Sequence, residues 1–138
     1  MAGLNDILAA HEGREGPLLP ILRDVQSAFG FVSEDAIRAI ALHLNLSRAE
    51  VSGVVSFYHD FRRTPDPRPA LKLCRAESCQ ARGSEALAAE AQRMAGARVR
   101  VETVYCLGLC SVGPNAMIGE DVHARLDGAK VAALIGAL

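Results

Sequence analysis

The chain has 138 residues, half of them apolar, with a formal net charge of −1 and a pI near 6.4. That length suits one compact domain or two small ones with a real core. The charge balance leaves no basic surplus for nucleic acid, and no apolar run reaches the ~20 residues of a membrane-spanning helix. The N-terminal stretch Met1 to Asp6 lacks the basic start and apolar stretch of a secretory signal. A soluble, cytoplasmic protein without membrane insertion is therefore expected.

In chain order, residues 4–11 are predicted as a short helix ended by Gly13 and Gly16–Pro17. Pro17 suits the first turn of the next helix, Pro20 still falls in the tolerated first turn, and Gly30 ends the helix after Phe29. Ser33 caps a third helix with Glu34 and Asp35 at its positive end, and Ile37, Ile40, Ala41 and Leu44 form its apolar stripe. Ser47 and Glu50 have capping-box spacing. That predicts a helix over 48–58, although Val51, Val54 and Val55 would suit a strand. Residues 1–62 are thus predicted helical, and the helical domain is set at 1–66, a docking domain in function.

Two helices joined by Leu44–Ser47 have the look of a helix-turn-helix, which makes a DNA-binding module one alternative. Only Arg48 is basic where phosphate anchors are needed, and Glu50 opposes it. A hairpin packing on protein is preferred, with no nucleic-acid partner. Five of the six aromatic residues (Phe29, Phe31, Phe57, Tyr58 and Phe61) fall in this half. Core packing is the expectation for them; the functional alternative is a docking face around Tyr58, His59 and Phe61. Residues 62–69, with Pro65, Pro67 and Pro69, form a stiff, extended linker whose arginines are expected to be solvated.

The second domain, 67–138, opens with an apolar strand at Ala70–Leu73. Ser84–Ala95 is predicted helical, with Leu87, Ala88, Ala91 and Met94 or Ala95 on one face and Gly96 as its stop. Val99–Val104 is the next strand, so strand, helix and strand form a βαβ unit with parallel neighbouring strands. A hairpin turns at Gly119–Asp121, between 116–118 and 122–125. Asp127 then caps a last helix carrying Val131, Leu134, Ile135 and Leu138.

All four cysteines lie in this half, as Cys74-x4-Cys79 and Cys106-x3-Cys110. Each pair follows a strand, and the C-terminal ends of parallel strands share one edge of the sheet, where sites in open α/β sheets form. Four thiols are therefore expected to converge. Disulfides fit poorly with a cytoplasmic setting. A structural zinc accepts these spacings, although it usually staples domains with little core. A [2Fe–2S] cluster needs two thiolates per iron and matches two separate pairs, C-x4-C being a ferredoxin spacing. Zinc and iron–sulfur both stay open on this chemistry.

His11, His43, His59 and His123 have no paired ligand spacing. Gly83, Gly108 and Gly113 would let backbone N–H groups approach sulfur, Ser78 and Ser111 are adjacent donors, and Arg75 and Arg82 either offset charge or are solvated. With no Ser-His-Asp set, Walker loop or G-x-G-x-x-G, the chain is expected to be non-catalytic alone.

The run Cys74-x4-Cys79-Gln80-Ala81-Arg82-Gly83-Ser84, then Cys106-Leu107-Gly108-Leu109-Cys110 and Gly113-Pro114-Asn115-Ala116-Met117-Ile118, resembles the thioredoxin-like [2Fe–2S] subunit of respiratory complex I and its relatives. Leu19–Val32 and Leu46–Tyr58 extend the resemblance upstream, from about residue 17 to the C-terminus. Glu77–Ser78 stands where complex I members usually carry a small Gly-Thr-like pair. Arg75-Ala76-Glu77-Ser78 and the short length most resemble the gamma subunit of soluble NAD-dependent formate dehydrogenase. The resemblance implies an α+β chain, a small helical domain followed by a thioredoxin-like [2Fe–2S] ferredoxin domain. It further implies an electron-carrier role, with Cys74 and Cys79 on one iron and Cys106 and Cys110 on the other. The implied partners are a flavin- and NAD-binding subunit and a larger molybdenum- or tungsten-containing formate dehydrogenase subunit. The corresponding component of complex I or of an NAD-reducing hydrogenase is the alternative parent.

Overall fold

The computed structural model describes residues 2–138; Met1, where the signal-peptide reading begins, lies outside them. The chain divides after Pro67 into two compact units.

The first unit holds four helices: α1 (Ala2–Ala10), α2 (Leu18–Phe29), α3 (Glu34–Leu44) and α4 (Arg48–Phe57). Its core is aliphatic, with Leu4, Ile21, Leu22, Val25, Ile37, Ile40, Val51 and Val55 all buried. Pro17 occupies the N-cap of α2 rather than its first turn, and Gly30 ends that helix with φ 82°. The Ser33 hydroxyl accepts the Ala36 N–H at 3.1 Å, and Asn45 closes α3 with φ 54°. At α4 the box is reciprocal: the Ser47 N–H donates to Glu50 at 2.8 Å and the Glu50 N–H donates to Ser47 Oγ at 3.2 Å. Two orphan donors are satisfied, which settles Val51, Val54 and Val55 as helix. His11 is buried and bonds Asp24 through Nε2 at 2.7 Å, joining α1 to α2.

Two expectations fail here. Phe61 packs half-buried against the aliphatic core, but none of Phe29, Phe31, Phe57 or Tyr58 is buried, and Phe57 is 75 % exposed. Val51 and Val55 take the inward stripe of α4, and a residue two places beyond such a stripe points away from it. The linker's first arginines are also not simply solvated. The Arg62 N–H donates to Gln26 Oε1 at 2.6 Å, its guanidinium reaches the Gly30 carbonyl, and Arg63 pairs with Glu34.

The second unit, Arg68–Leu138, is a four-stranded sheet in the order β2-β1-β3-β4, with three helices. Its elements are β1 (Ala70–Cys74), α5 (Glu77–Ala81), α6 (Ser84–Ala95), β2 (Arg100–Val104), β3 (Ala116–Ile118), β4 (Asp121–His123) and α7 (Gly128–Ala137). β1 pairs parallel with β2 and antiparallel with β3, and β3 pairs antiparallel with β4. Leu71 and Leu73 of β1 join Leu87, Ala91 and Ala95 of α6 and Val131 and Ile135 of α7 in one buried core. Helices around a mixed parallel and antiparallel sheet give the α+β class, as expected. No helix among the described residues is long and apolar enough to cross a membrane.

The capping box carries a pH signature. The Ser47 backbone N–H, then its hydroxyl, hold the Glu50 carboxyl below its ordinary range. A lowered folded-state pKa stabilises above the unfolded value and is lost as pH falls through the folded one. The melting-temperature gap between wild type and Glu50→Gln should therefore be fully open at neutral pH and close in acid, below the usual glutamate range of about 4.3.

Candidate functional site

Parallel pairing sets the site. The β1–β2 register places Cys74 opposite Val104, so both strands end level, and Cys106 follows Val104 by two residues. The Arg75 N–H continues the ladder to the Val104 carbonyl at 2.9 Å. The Cys74 N–H donates to the Asn115 carbonyl at 2.9 Å, tying in the segment that leads to β3. Three stretches of chain thus meet at one sheet edge.

The pairs do not simply occupy two loops, as the spacing alone suggests. Cys74 is the last residue of β1, and Cys79 lies in the one-turn helix α5. The Gln80 N–H donates to the Ala76 carbonyl at 2.9 Å, and the Gln80 side chain folds back to the Arg75 carbonyl at 2.8 Å. Cys110 opens a 3-10 turn over Cys110–Val112.

All four thiols are free, Cys74 and Cys79 buried and Cys106 and Cys110 exposed. They form two couples. Cys74 and Cys79 act on each other's titration, and Cys106 Sγ lies 3.6 Å from Cys110 Sγ. The couples sense each other, since Cys110 acts electrostatically on Cys79 and Cys74 on Cys110. Among the described residues no three His, Cys, Asp or Glu side chains gather about one ion-sized point. The arrangement is one of pairs.

Burial pushes the Cys74 thiol up, but N–H groups of Ala76, Cys106 and Leu107 and the Cys79 thiol outweigh it, leaving Cys74 below the ordinary thiol range. Cys79 is raised, first by burial and then by its bond to Cys74, against one backbone N–H from Asn115. Cys110 is raised chiefly by its bond to Cys106 and by that neighbour's charge. Backbone donors approach at measured distances: Cys106 N lies 3.3 Å from Cys74 Sγ, and Gly108 N lies 3.4 Å from Cys106 Sγ. To present that N–H, Cys106 takes φ 68°, a left-handed conformation costing a non-glycine residue about 1–2 kcal/mol.

The secondary candidates divide. Gly113 is required for space: a Cβ there would sit 3.1 Å from Cys79 Sγ and 3.3 Å from Arg82 Cδ. Gly83, at φ 93°, serves the turn into α6. Ser78 Oγ donates to the Cys110 carbonyl at 3.1 Å and links the two cysteine segments. Ser111 is exposed. Arg75 is held by Glu85 at 2.8 Å, so its charge is matched locally. His43 and His59 are exposed, and His123 sits in β4 opposite Ala116. Asn115 lies in the run that carries the resemblance, but no site role was expected of it. It is 1 % exposed, with Nδ2 2.7 Å from the Leu109 carbonyl and 3.7 Å from Cys79 Sγ. An amide wedged between Pro114 and the apolar run Ala116–Ile118 was the signal available.

Residues 4–138 match the model of a family described as thioredoxin-like [2Fe–2S] ferredoxin. A component of an NADH-quinone oxidoreductase from Rhizobium meliloti (strain 1021) is 31 % identical over 136 residues, covering 92 % of this chain and 81 % of the relative. A component of an NADP-reducing hydrogenase from Solidesulfovibrio fructosivorans is 27 % identical over 127 residues, covering 86 % of this chain and 74 % of that one. Among solved structures, an NAD+-reducing [NiFe]-hydrogenase in the air-oxidised state superposes with a TM-score of 0.72 at 27 % identity. That match covers 87 % of this chain and 22 % of the hydrogenase chain.

Because a methyl at position 113 must displace the Cys79 sulfur or the Arg82 stem, Gly113→Ala should destabilise the second unit by about 1–3 kcal/mol, the usual range for overpacking. Thermal unfolding measures it. Gly53→Ala, at a helical position with open space around it, should instead raise stability by up to about 1 kcal/mol, which sets the opposite sign for comparison.

Proposed function

The chain belongs to the thioredoxin-like [2Fe–2S] ferredoxin family, and from that premise we propose that it is the electron-transfer subunit of a cytoplasmic NAD-dependent formate dehydrogenase complex. In this reading it binds beside a flavin- and NAD-binding subunit, and a larger molybdenum- or tungsten-containing subunit oxidises formate. Cys74 and Cys79 would hold one iron, and Cys106 and Cys110 the other. The observation that carries the reading is the meeting of the two cysteine segments at one sheet edge, with Cys106 Sγ 3.6 Å from Cys110 Sγ and the Cys106 N–H 3.3 Å from Cys74 Sγ: a two-iron group asks for two thiolate couples.

The surroundings fit the group. N–H donors aim at Cys74, Cys79 and Cys106, as anionic sulfur requires, and Gly113 keeps clear a space that any Cβ would fill. When bound, a [2Fe–2S] cluster supplies a one-electron relay. The chain's own residues hold the sulfurs, shield one couple from water and leave the other at the surface.

Two features bear on the parent enzyme. Arg75-Ala76-Glu77-Ser78 favours formate dehydrogenase. The 31 % identity to a component of an NADH-quinone oxidoreductase, across 92 % of the chain, favours the second reading, the corresponding component of a quinone- or hydrogen-linked complex. Anaerobic purification of the tagged chain from its own cells separates them. Co-purifying molybdenum or tungsten with formate-dependent NAD+ reduction supports the first; nickel with hydrogen-dependent reduction, or NADH oxidation coupled to quinone, replaces it. In either case the chain should carry iron and acid-labile sulfide in equal amounts. Cys106→Ser should abolish or strongly alter the visible absorption and the EPR signal of the reduced protein.

The helical unit is assigned to docking. Phe57 (75 % exposed) stacks edge-on against Tyr58 with ring centroids 5.0 Å apart, and Tyr58 contacts Phe61 in turn. Exposed aromatic clusters of this kind anchor interfaces. Phe57→Ser combined with Tyr58→Ser should sharply reduce co-purification of the flavin subunit while leaving the iron content and melting temperature nearly unchanged. Undiminished assembly would remove this surface from consideration.

A further inference from the structure

We propose that Asn115 is a positioning residue for Cys79 that also raises the reduction potential of the centre, by directing an amide N–H at the Cys79 sulfur. The proposal rests on the [2Fe–2S] reading above. Asn115 is 1 % exposed and bonds to both cysteine segments. Its carbonyl accepts the Cys74 N–H at 2.9 Å. Its side-chain Nδ2 lies 2.7 Å from the Leu109 carbonyl and 3.7 Å from Cys79 Sγ, the longer distance being ordinary for sulfur. One residue therefore ties the buried couple to the segment that carries the exposed couple.

The amide's orientation is fixed by chemistry. The NH2 group has two hydrogens and meets two acceptors, a carbonyl and a sulfur. Turning the amide over would set its oxygen against both, acceptor facing acceptor. The orientation that remains leaves Asn115 Oδ1 buried without a hydrogen-bond partner. A buried orphan acceptor is unfavourable, and an apolar side chain of similar volume would avoid it. What the amide contributes therefore lies in its nitrogen, because only that end does something a leucine could not.

The sign of the effect follows from charge. The reduced centre carries one more negative charge than the oxidised one. A donor's positive hydrogen beside sulfur stabilises the reduced form more, and so lifts the potential. Removing the donor lowers it; replacing it with a carboxylate lowers it further.

The test uses the full chain purified anaerobically as wild type, Asn115→Leu, Asn115→Asp and Asn115→Gln, with iron and sulfide counted and an EPR-monitored redox titration of each. The expected order of potential is wild type above Asn115→Leu above Asn115→Asp, with the Gln variant nearer wild type than Leu. Loaded Leu and Asp variants with unshifted potentials overturn the proposal, since a purely structural role would change loading or melting and not the potential of the centres that form. If Leu and Asp do not load at all, recovery of iron and sulfide in Gln supports it. Equal loss in all three means that shape rather than the donor is what the position supplies, and overturns it. A wild-type chain without iron or sulfide would overturn the underlying reading as well, which tells the two failures apart.

Discussion

The site depends on one constraint: β1 and β2 run in the same direction, side by side. Their register ends with Cys74 opposite Val104, so the chain leaves both strands at the same level of the sheet. An antiparallel pairing would have sent the second cysteine pair to the opposite edge, a strand's length away. Parallel pairing needs a crossover, and residues 75–99 supply it through α5 and α6. α6 is held down by Leu87, Ala91 and Ala95 in the core shared with Leu71 and Leu73. The packing that folds the second unit is thus the same packing that brings distant thiols together.

What the edge then does to sulfur is a contest between burial and hydrogen bonding. Taking Cys74 out of water disfavours its thiolate, yet the N–H groups around it more than compensate. Two of those donors, the Cys106 and Leu107 N–H groups, come from the segment after β2, which takes unusual backbone conformations, φ 68° at Cys106 and φ 79° at Gly108. Strain of that kind persists only where the surroundings over-determine it. Here the restraints are visible. Ser78 Oγ holds the Cys110 carbonyl, Asn115 holds the Leu109 carbonyl, and the Arg125 and Leu126 N–H groups hold the Val112 and Pro114 carbonyls at 2.7 and 3.0 Å. The exposed couple is presented on a segment that is bonded from several sides.

The legible parts were those governed by local rules. Ser33, Ser47 with Glu50, Gly30, Gly96 and Asp127 punctuate helices by satisfying or releasing specific backbone groups, and each does so here. The βαβ unit was legible because period and length differ sharply between Ser84–Ala95 and its flanking strands. Where tertiary context decided, the sequence was silent. A helix of five residues such as α5 has no stability of its own, since nucleation is unfavourable at that length, and it exists because of what it packs against. The burial of Asn115 depends on Cys79 and Leu109, which lie 36 and 6 residues away. Phe57 and Tyr58 misled for a related reason: size and apolarity argue for a core, and nothing local reveals that leucines, valines and isoleucines had already filled it.

The same distinction bears on the parent enzyme. Glu77, which departs from the small pair usual in complex I members, opens α5 and points to solvent, where a carboxylate suits the positive end of a helix. Its neighbour Ser78 contributes a hydroxyl to the Cys110 carbonyl, a contact that asks only for a short donor. Neither side chain touches a sulfur. The thiol couples and their N–H donors answer to the chemistry of the centre, whereas the exposed residues beside them answer to whatever protein lies against that surface. One centre can therefore serve complexes oxidising different fuels. In the proposed reading, what separates one parent enzyme from another lies in exposed faces such as those around Glu77 and Phe57, and not in the cysteines.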